Sequence, residues 1–258
     1  MGSVRSTSRR NGTRSRSRGV PVALADPADV STGQLSLAVA EADGVRRRCE
    51  ILPGVVHVPG WLDLDSQRAF VADFRRWAAP PAGLRHPRVP TGHLMSVQSV
   101  CLGWHWYPYV YSRTADDTDG APVKVLPATV VDLACDAMAT AYGASSRAAI
   151  DFAPDAAILN LYPPGARLGL HQDGEEPSAA PVVTVSIGDT CTFRLAGIDR
   201  RTGPFTDVAL RSGDLLVFGG INRRIYHGVP KVLPDTAPPD LGLPPGRLSI
   251  TVRETGLA

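Results

Sequence analysis

The chain has 258 residues, 43% of them hydrophobic and 20% charged, which is enough to bury a full core as one domain or at most two. No run approaches the roughly 18 uninterrupted apolar residues of a membrane-spanning helix, and no N-terminal apolar segment fits a signal peptide. The expectation is a soluble, cytoplasmic monomer with no membrane partner. Six of the 27 basic residues are arginines within residues 1–20, where there is no acid, so 21 basic residues face 25 acids in the rest. The body is thus mildly acidic and the overall basicity belongs to the tail.

In chain order, residues 1–20 offer Ser, Arg, Gly and Thr but little to bury, and read as a disordered basic tail. It is either a solubilising extension or a non-specific phosphate-binding arm. Met1-Gly2 with Ser6 also fits the loose N-myristoylation pattern. Residues 21–53 read as a linker with one weak strand, and 54–258 as the folded domain. "DSQRAFVADFRRWAA" spaces Phe70, Phe74 and Trp77 as one face of an amphipathic helix, with Asp65 or Ser66 as cap. A second helix is expected over 127–142, opened by Pro127 and closed by Gly143. The cysteines Cys49, Cys101, Cys135 and Cys191 stand singly, without metal-binding spacing, and read as reduced, buried thiols.

From about residue 155 to 257 the texture becomes eight short runs: "AAILNLY", "RLGLH", "VVTVSI", "CTFRLA", "TDVAL", "DLLVFG", "RIYHG" and "RLSITVRE". Short strands without helical periodicity between them predict a sandwich or barrel. The expected fold class is mostly β with flanking helices (α+β), a double-stranded β-helix or jelly-roll core carrying helices on its N-terminal side.

Within "LHQDGEE", His171 and Asp173 are two apart, so on an extended segment both project to one face and can share an ion. His227, placed by its pattern at the end of the strand "RIYHG", is the candidate third ligand. Two imidazoles and a carboxylate on one face leave open positions, as in non-haem Fe(II) oxygenases, though zinc with a hydrolytic water uses the same ligands. The last strand favours the first reading. Arg247, Ser249, Thr251 and Arg253 alternate with Leu248, Ile250 and Val252, so one face is apolar and the other carries two guanidiniums inward. A buried guanidinium requires an anion and its planar fork suits a carboxylate; the alternative is a surface strand whose arginines face solvent. "CLGWHWYPYVYS", residues 101–112, is dense in aromatics, for which core packing is the default account.

With "NLYPPGARLGLHQDGEEP", "VSIGDTCTFRLAG", "GDLLVFGG", "YHGV" and "RLSITVRETG" in this order, the sequence from about Val55 to Leu257 resembles the AlkB-type Fe(II)/2-oxoglutarate dioxygenases. The resemblance implies that His171, Asp173 and His227 hold Fe(II). It also implies that Arg247, helped by Tyr162, pairs with the distal carboxylate of 2-oxoglutarate, and that Asn160 and Arg253 lie near its chelating end. Ser249 stands where the family usually has asparagine. Residues 85–125 match the family's nucleotide-recognition lid, which makes Trp104 a base-stacking residue, Tyr109 a lid contact to the nucleic-acid backbone, Glu175 the acid beside the base and Arg200 an arginine near the lesion. Trp106, Tyr107 and Tyr111 have weaker claims. Arg85, Arg88, Lys124, Arg200 and Arg201 are the candidates for phosphate contact. The implied activity is O2-dependent oxidative dealkylation of alkylated DNA or RNA. The alternatives are a dioxygenase of the same build acting on protein, RNA or a small molecule, a nucleic-acid-binding module with a structural metal, and a zinc hydrolase.

Overall fold

The computed structural model describes residues 46–258; the expectations for the tail and for the linker up to residue 45 lie outside the described residues. The elements run β1 Cys49–Leu52, β2 Val55–Val58, α1 Leu64–Ala78, β3 Gln98–Leu102, β4 His105–Tyr107, β5 Val110–Ser112, α2 Ala128–Tyr142 and α3 Arg147–Ile150. The second half continues with β6 Ala156–Tyr162, β7 Leu168–His171, β8 Val182–Gly188, β9 Cys191–Leu195, β10 Thr206–Leu210, β11 Leu215–Phe218, β12 His227–Val232 and β13 Arg247–Arg253. They form a seven-stranded sheet in the order β1-β2-β11-β8-β13-β6-β3 and a four-stranded sheet in the order β10-β9-β12-β7, with β4 and β5 as a separate hairpin. This is the expected jelly roll with flanking helices. Sheet pairing starts before residue 54, because β1 pairs with β2 across Cys49–Leu52, inside the segment read as linker.

Period-two patterning has a clear cause here, since the large sheet separates two different environments. Its outer face, with Val183, Val185, Val217, Leu248, Ile250 and Val252, packs with the buried stripe of α1 and α2. Its inner face contributes Tyr162, Val182, Leu216 and Phe218 to a second core shared with Phe193 and Leu195 of the small sheet. Arg247, Ser249 and Arg253 share that inner face on β13, all buried.

The helices follow their sequence signals closely. α1 buries Val71 and Phe74 and is capped by Asp63, whose side chain accepts from Ser66 N at 2.7 Å. The cap is therefore two residues earlier than Asp65; four neighbouring positions, "DLDS", offer three cap-capable side chains, and periodicity does not choose among them. Asp63→Ala is expected to lower stability by removing the cap, read as a fall in the thermal midpoint without loss of ligand binding. α2 ends at Gly143, whose N–H returns to Ala139 O with φ at 90°, a conformation that glycine adopts without a Cβ penalty.

One expectation needs correction. Cys101 and Cys191 are buried, but Cys49 is exposed and Cys135 half-buried, because Cys49 opens an edge strand. His57 and His105 are buried and paired, His57 with Asp214 at 3.0 Å and His105 with Asp117 at 2.6 Å. Their partners are 157 and 12 residues away, beyond any local spacing rule. No helix among the described residues is long and apolar enough to cross a membrane.

Candidate metal and cosubstrate site

His171 ends β7 and His227 begins β12, and the two are directly paired across the small sheet. Their rings lie 4.4 Å apart. His227 opens its strand rather than ending one: Ile225 and Tyr226, apolar enough to read as strand, bond instead to the turn around Asn222 and the loop after β9. Asp173 follows β7 by two residues. Ligand atoms of His171, Asp173 and His227 all lie within 4.8 Å of one another.

The local bonds orient this cluster. Nδ1 of His171 is 3.0 Å from Gly169 O, and Nδ1 of His227 is 3.0 Å from Ile225 O. A carbonyl only accepts, so each Nδ1 carries the hydrogen and each Nε2 is left as a lone-pair donor to the site. Burial, reinforced by His171, pushes His227 down to about 4, which keeps its imidazole neutral. Burial by itself would raise the Asp173 carboxyl. The Arg253 guanidinium, then His227 and His171, outweigh it and hold Asp173 below the usual carboxylate range. Arg253 Nη2 donates to Asp173 Oδ2 at 2.9 Å, while Oδ1 lies 3.6 Å from His171 Nε2. Oδ1 thus faces His171, while Oδ2 is shared between Arg253 and the side of His227, whose Nε2 is 4.0 Å away.

On the opposite sheet Arg247 is fully buried. Its Nε donates to Ser186 Oγ at 2.8 Å and its Nη2 to Ser249 Oγ at 3.3 Å, with the Tyr162 ring 5.0 Å away. Nη1 is buried without a hydrogen-bond partner among the described residues. Such an orphaned guanidinium nitrogen implies an anionic partner. Ser249, standing where asparagine is usual, still binds Arg247, through its hydroxyl. Burial pushes the Tyr162 phenol up to about 12 against the opposing pull of Arg247, so it stays a neutral donor. Asn160 accepts from Ser99 Oγ at 2.6 Å, leaving its amide nitrogen for the cavity.

All eight metal and cosubstrate candidates line one cavity: Asn160, Tyr162, His171, Asp173, His227, Arg247, Ser249 and Arg253. The substrate candidates lie outside its lining. Tyr109 is 61% exposed at the hairpin tip, and Arg200 is exposed in the loop between β9 and β10. Glu175 is half-buried, and burial, then Glu176 and Asp173, raise its carboxyl. Trp104 is buried, its Nε1 bonded to Asp155, and one ring face is covered by Arg113 at 3.4 Å from the centroid. Arg85 and Lys124 are internal ties rather than surface cations. Arg85 is buried against Asp117 and Ser99 O, and Lys124 Nζ donates to Ala79 O and Ala82 O at 3.0 Å each.

Residues that the sequence pattern did not flag complete the site. Glu176 is buried and accepts from Arg253 Nη1 at 2.9 Å and Arg223 Nη2 at 3.3 Å. Arg223 Nη1 also donates to Asp173 O, and Arg224 Nη1 to Gly174 O, both at 3.0 Å. The pair "RR" just before His227 therefore clamps the turn that carries Asp173. Two adjacent arginines near a ligand are a weak signal on their own, but a buried acid three residues after Asp173 matches them in charge.

A jelly roll whose small sheet supplies two histidines and whose large sheet faces them with a buried arginine defines a metal- and carboxylate-binding oxygenase architecture. The family described as the 2OG-Fe(II) oxygenase superfamily matches residues 54–253, and the chain belongs to it, as an AlkB-type member. The alpha-ketoglutarate-dependent dioxygenase AlkB homolog of Caulobacter vibrioides is 34% identical, over 81% of this chain and 90% of that protein. The DNA N(6)-methyladenine demethylase ALKBH1D of Arabidopsis thaliana is also 34% identical, over 79% of this chain. This chain spans about half the length of that protein and of its relative ALKBH1C. The solved structure of OsALKBH1 superposes with a TM-score of 0.67 at 30% identity, covering 80% of this chain and all of that one. The superfamily's iron and 2-oxoglutarate fit the residues present: a His-Asp-His donor set with both Nε2 atoms free, and an orphaned guanidinium nitrogen for a carboxylate.

Proposed function

We propose that this protein removes alkyl groups oxidatively from N-alkylated nucleobases of the 1-methyladenine and 3-methylcytosine type, in DNA and, as a second substrate class, RNA. The observation that carries the reading is the convergence, in one cavity, of the three metal-ligating side chains with the unpaired Nη1 of Arg247. A structural metal or a hydrolytic zinc centre gives no role to that arginine. The names of the Caulobacter and Arabidopsis relatives support the dioxygenase class and the nucleobase substrate. The same reading includes a cytoplasmic monomer.

Iron with 2-oxoglutarate and O2 supplies the oxidising power, ending in succinate, carbon dioxide, an aldehyde and the restored base. The chain does the rest. His171, His227 and Asp173 would hold the metal, and Arg247 Nη1 with the Tyr162 hydroxyl would hold the far carboxylate of the cosubstrate. Phe193 and Phe218 pack on the His227 ring, with centroids at 5.6 and 4.8 Å, and keep water from that side. On the substrate side Glu175 stands as the acid for a cationic base, Tyr109 as a lid contact and Arg200 as a charge near the lesion. Trp104 can stack a base on the face under Arg113 once that guanidinium has moved away.

Purified full-length protein with Fe(II), 2-oxoglutarate and an oligonucleotide bearing 1-methyladenine or 3-methylcytosine is expected to lose the methyl mass. If the methyl persists while 2-oxoglutarate is consumed, the substrate is wrong; if neither changes, the enzyme reading fails. Arg247→Ala is expected to raise the half-saturating 2-oxoglutarate concentration roughly 10- to 100-fold, from the loss of charged hydrogen bonds. Saturation at the wild-type concentration would remove Arg247 from the cosubstrate site.

A further inference from the structure

Tyr111 lies on β5, two residues from the exposed hairpin tip at Tyr109, yet its hydroxyl points into the protein and meets the shell around Asp173. It donates to Glu176 Oε1 and accepts from Arg253 Nη1 at 3.0 Å. Arg253 Nη1 also donates to the same Glu176 oxygen at 2.9 Å, and its Nη2 holds Asp173 Oδ2 at 2.9 Å. The hydroxyl, the carboxylate and the guanidinium form a closed triangle whose fourth arm ends on a metal ligand. Glu176 and Arg253 are almost fully buried, so these bonds are shielded from water and their geometry is held.

The hairpin is anchored elsewhere at its base. Arg85 donates to Trp106 O and to Asp117, and Asp117 in turn bonds His105. Its tip, with Tyr109 61% and Val110 46% exposed, is the part a substrate would press on. Tyr111 is the hairpin side chain that joins this tip to Arg253. Arg253 fixes the tilt of the Asp173 carboxylate by holding Oδ2, which lies 4.0 Å from His227 Nε2, with Oδ1 3.6 Å from His171 Nε2.

We infer that Tyr111 is a positioning residue for the metal: through Glu176 and Arg253 it sets Asp173, and it thereby couples hairpin placement to metal affinity. This rests on the proposed function for the identity of the site. By linkage the coupling is reciprocal, so substrate on the hairpin tightens metal binding and metal tightens substrate binding by the same factor.

The test uses Mn(II), a redox-quiet substitute whose free form is counted by electron paramagnetic resonance. The full chain is titrated with and without a single-stranded oligonucleotide carrying 1-methyladenine. Wild type is expected to bind Mn(II), and to bind it more tightly with the oligonucleotide present. Tyr111→Phe keeps the ring and removes only the hydroxyl; its Mn(II) affinity is expected to fall roughly 3- to 10-fold, the effect of one hydrogen bond, and the gain from the oligonucleotide to disappear. Glu176→Gln, which keeps shape and removes charge, is expected to move both readouts in the same direction. If Tyr111→Phe lowers the melting temperature but leaves Mn(II) affinity and its response to oligonucleotide as in wild type, the hydroxyl is merely structural and the inference is overturned. If wild type itself fails to bind Mn(II), the metal reading of the site falls first, an outcome distinct from the variant matching wild type.

Discussion

Asp173→Ala is expected to abolish turnover and to reduce metal affinity by well over the roughly 10- to 100-fold that loss of a supporting outer partner costs. Asp173 is the carboxylate of the three candidate ligand side chains, and an alanine would leave two imidazoles with no anionic donor. A second consequence separates this position from the histidines. Arg253 is buried and divides its nitrogens between Asp173 and Glu176. Removing one carboxylate leaves the guanidinium half-compensated, a stability cost expected near the lower end of the ~3–5 kcal/mol for breaking a buried pair, since Glu176 and Tyr111 still hold Nη1. Asp173→Asn isolates the two effects. Its amide oxygen can still accept from Arg253 although the charge is gone, so its melting temperature is expected to lie between those of wild type and Asp173→Ala while metal binding is lost. Wild-type turnover in either variant would remove the metal assignment.

Most of the fold was legible because the large sheet has two unlike faces. β13 alternates Leu248, Ile250 and Val252 against Arg247, Ser249, Thr251 and Arg253, and the structure sends the first set to the helix-covered core and lines the cavity with the second. A strand with both faces in one apolar core would have shown no such alternation. The clustering of the three candidate ligands was legible for a related reason: His171 and Asp173 are two apart in the sequence, and His227 lies at one end of a strand, although it opens β12 rather than ending the run before it. Glu176, Arg223 and the buried pairs of His57 and His105 were not legible. Glu176 and Arg223 sit outside the strands, where side-chain direction has no period; His57 and His105 lie on β2 and β4, but the acids that pair with them, Asp214 and Asp117, do not, and the partners come from elsewhere in the chain, 47 residues apart for Arg223 and Glu176. Arg85 and Lys124 were misread for the opposite reason. A cation in a polar segment looks like surface, whereas here each is turned onto backbone carbonyls, Arg85 onto Ser99 O and Lys124 onto Ala79 O and Ala82 O.

Asp214 carries the largest expected effect on stability outside the cavity. Its side chain is fully buried and its carboxylate accepts from Gly60 N at 2.8 Å, Arg211 N at 2.9 Å, His57 Nε2 at 3.0 Å and Arg46 Nη1 at 3.1 Å. One residue thus ties the segment before β1, the strand β2, the turn after it and the turn before β11. Asp214→Ala leaves these donors facing a cavity and is expected to cost about 3–5 kcal/mol, a fall of roughly 10 °C in melting temperature for a domain of this size. Asp214→Asn is no remedy, because its amide nitrogen turns a donor toward groups that are themselves donors. The pH dependence has a definite sign. Burial would raise this carboxyl, but His57, then Arg46 and the two backbone N–H groups, hold it below its ordinary value. A depressed carboxylate contributes stability that is present above the unfolded value near ~3.9 and is lost as pH falls through the folded one. The gap in melting temperature between wild type and Asp214→Asn is therefore expected to be widest near neutrality and to shrink as pH falls below about 4. A gap that stayed constant through that range would show that the charge on Asp214 contributes nothing and that only its shape is needed.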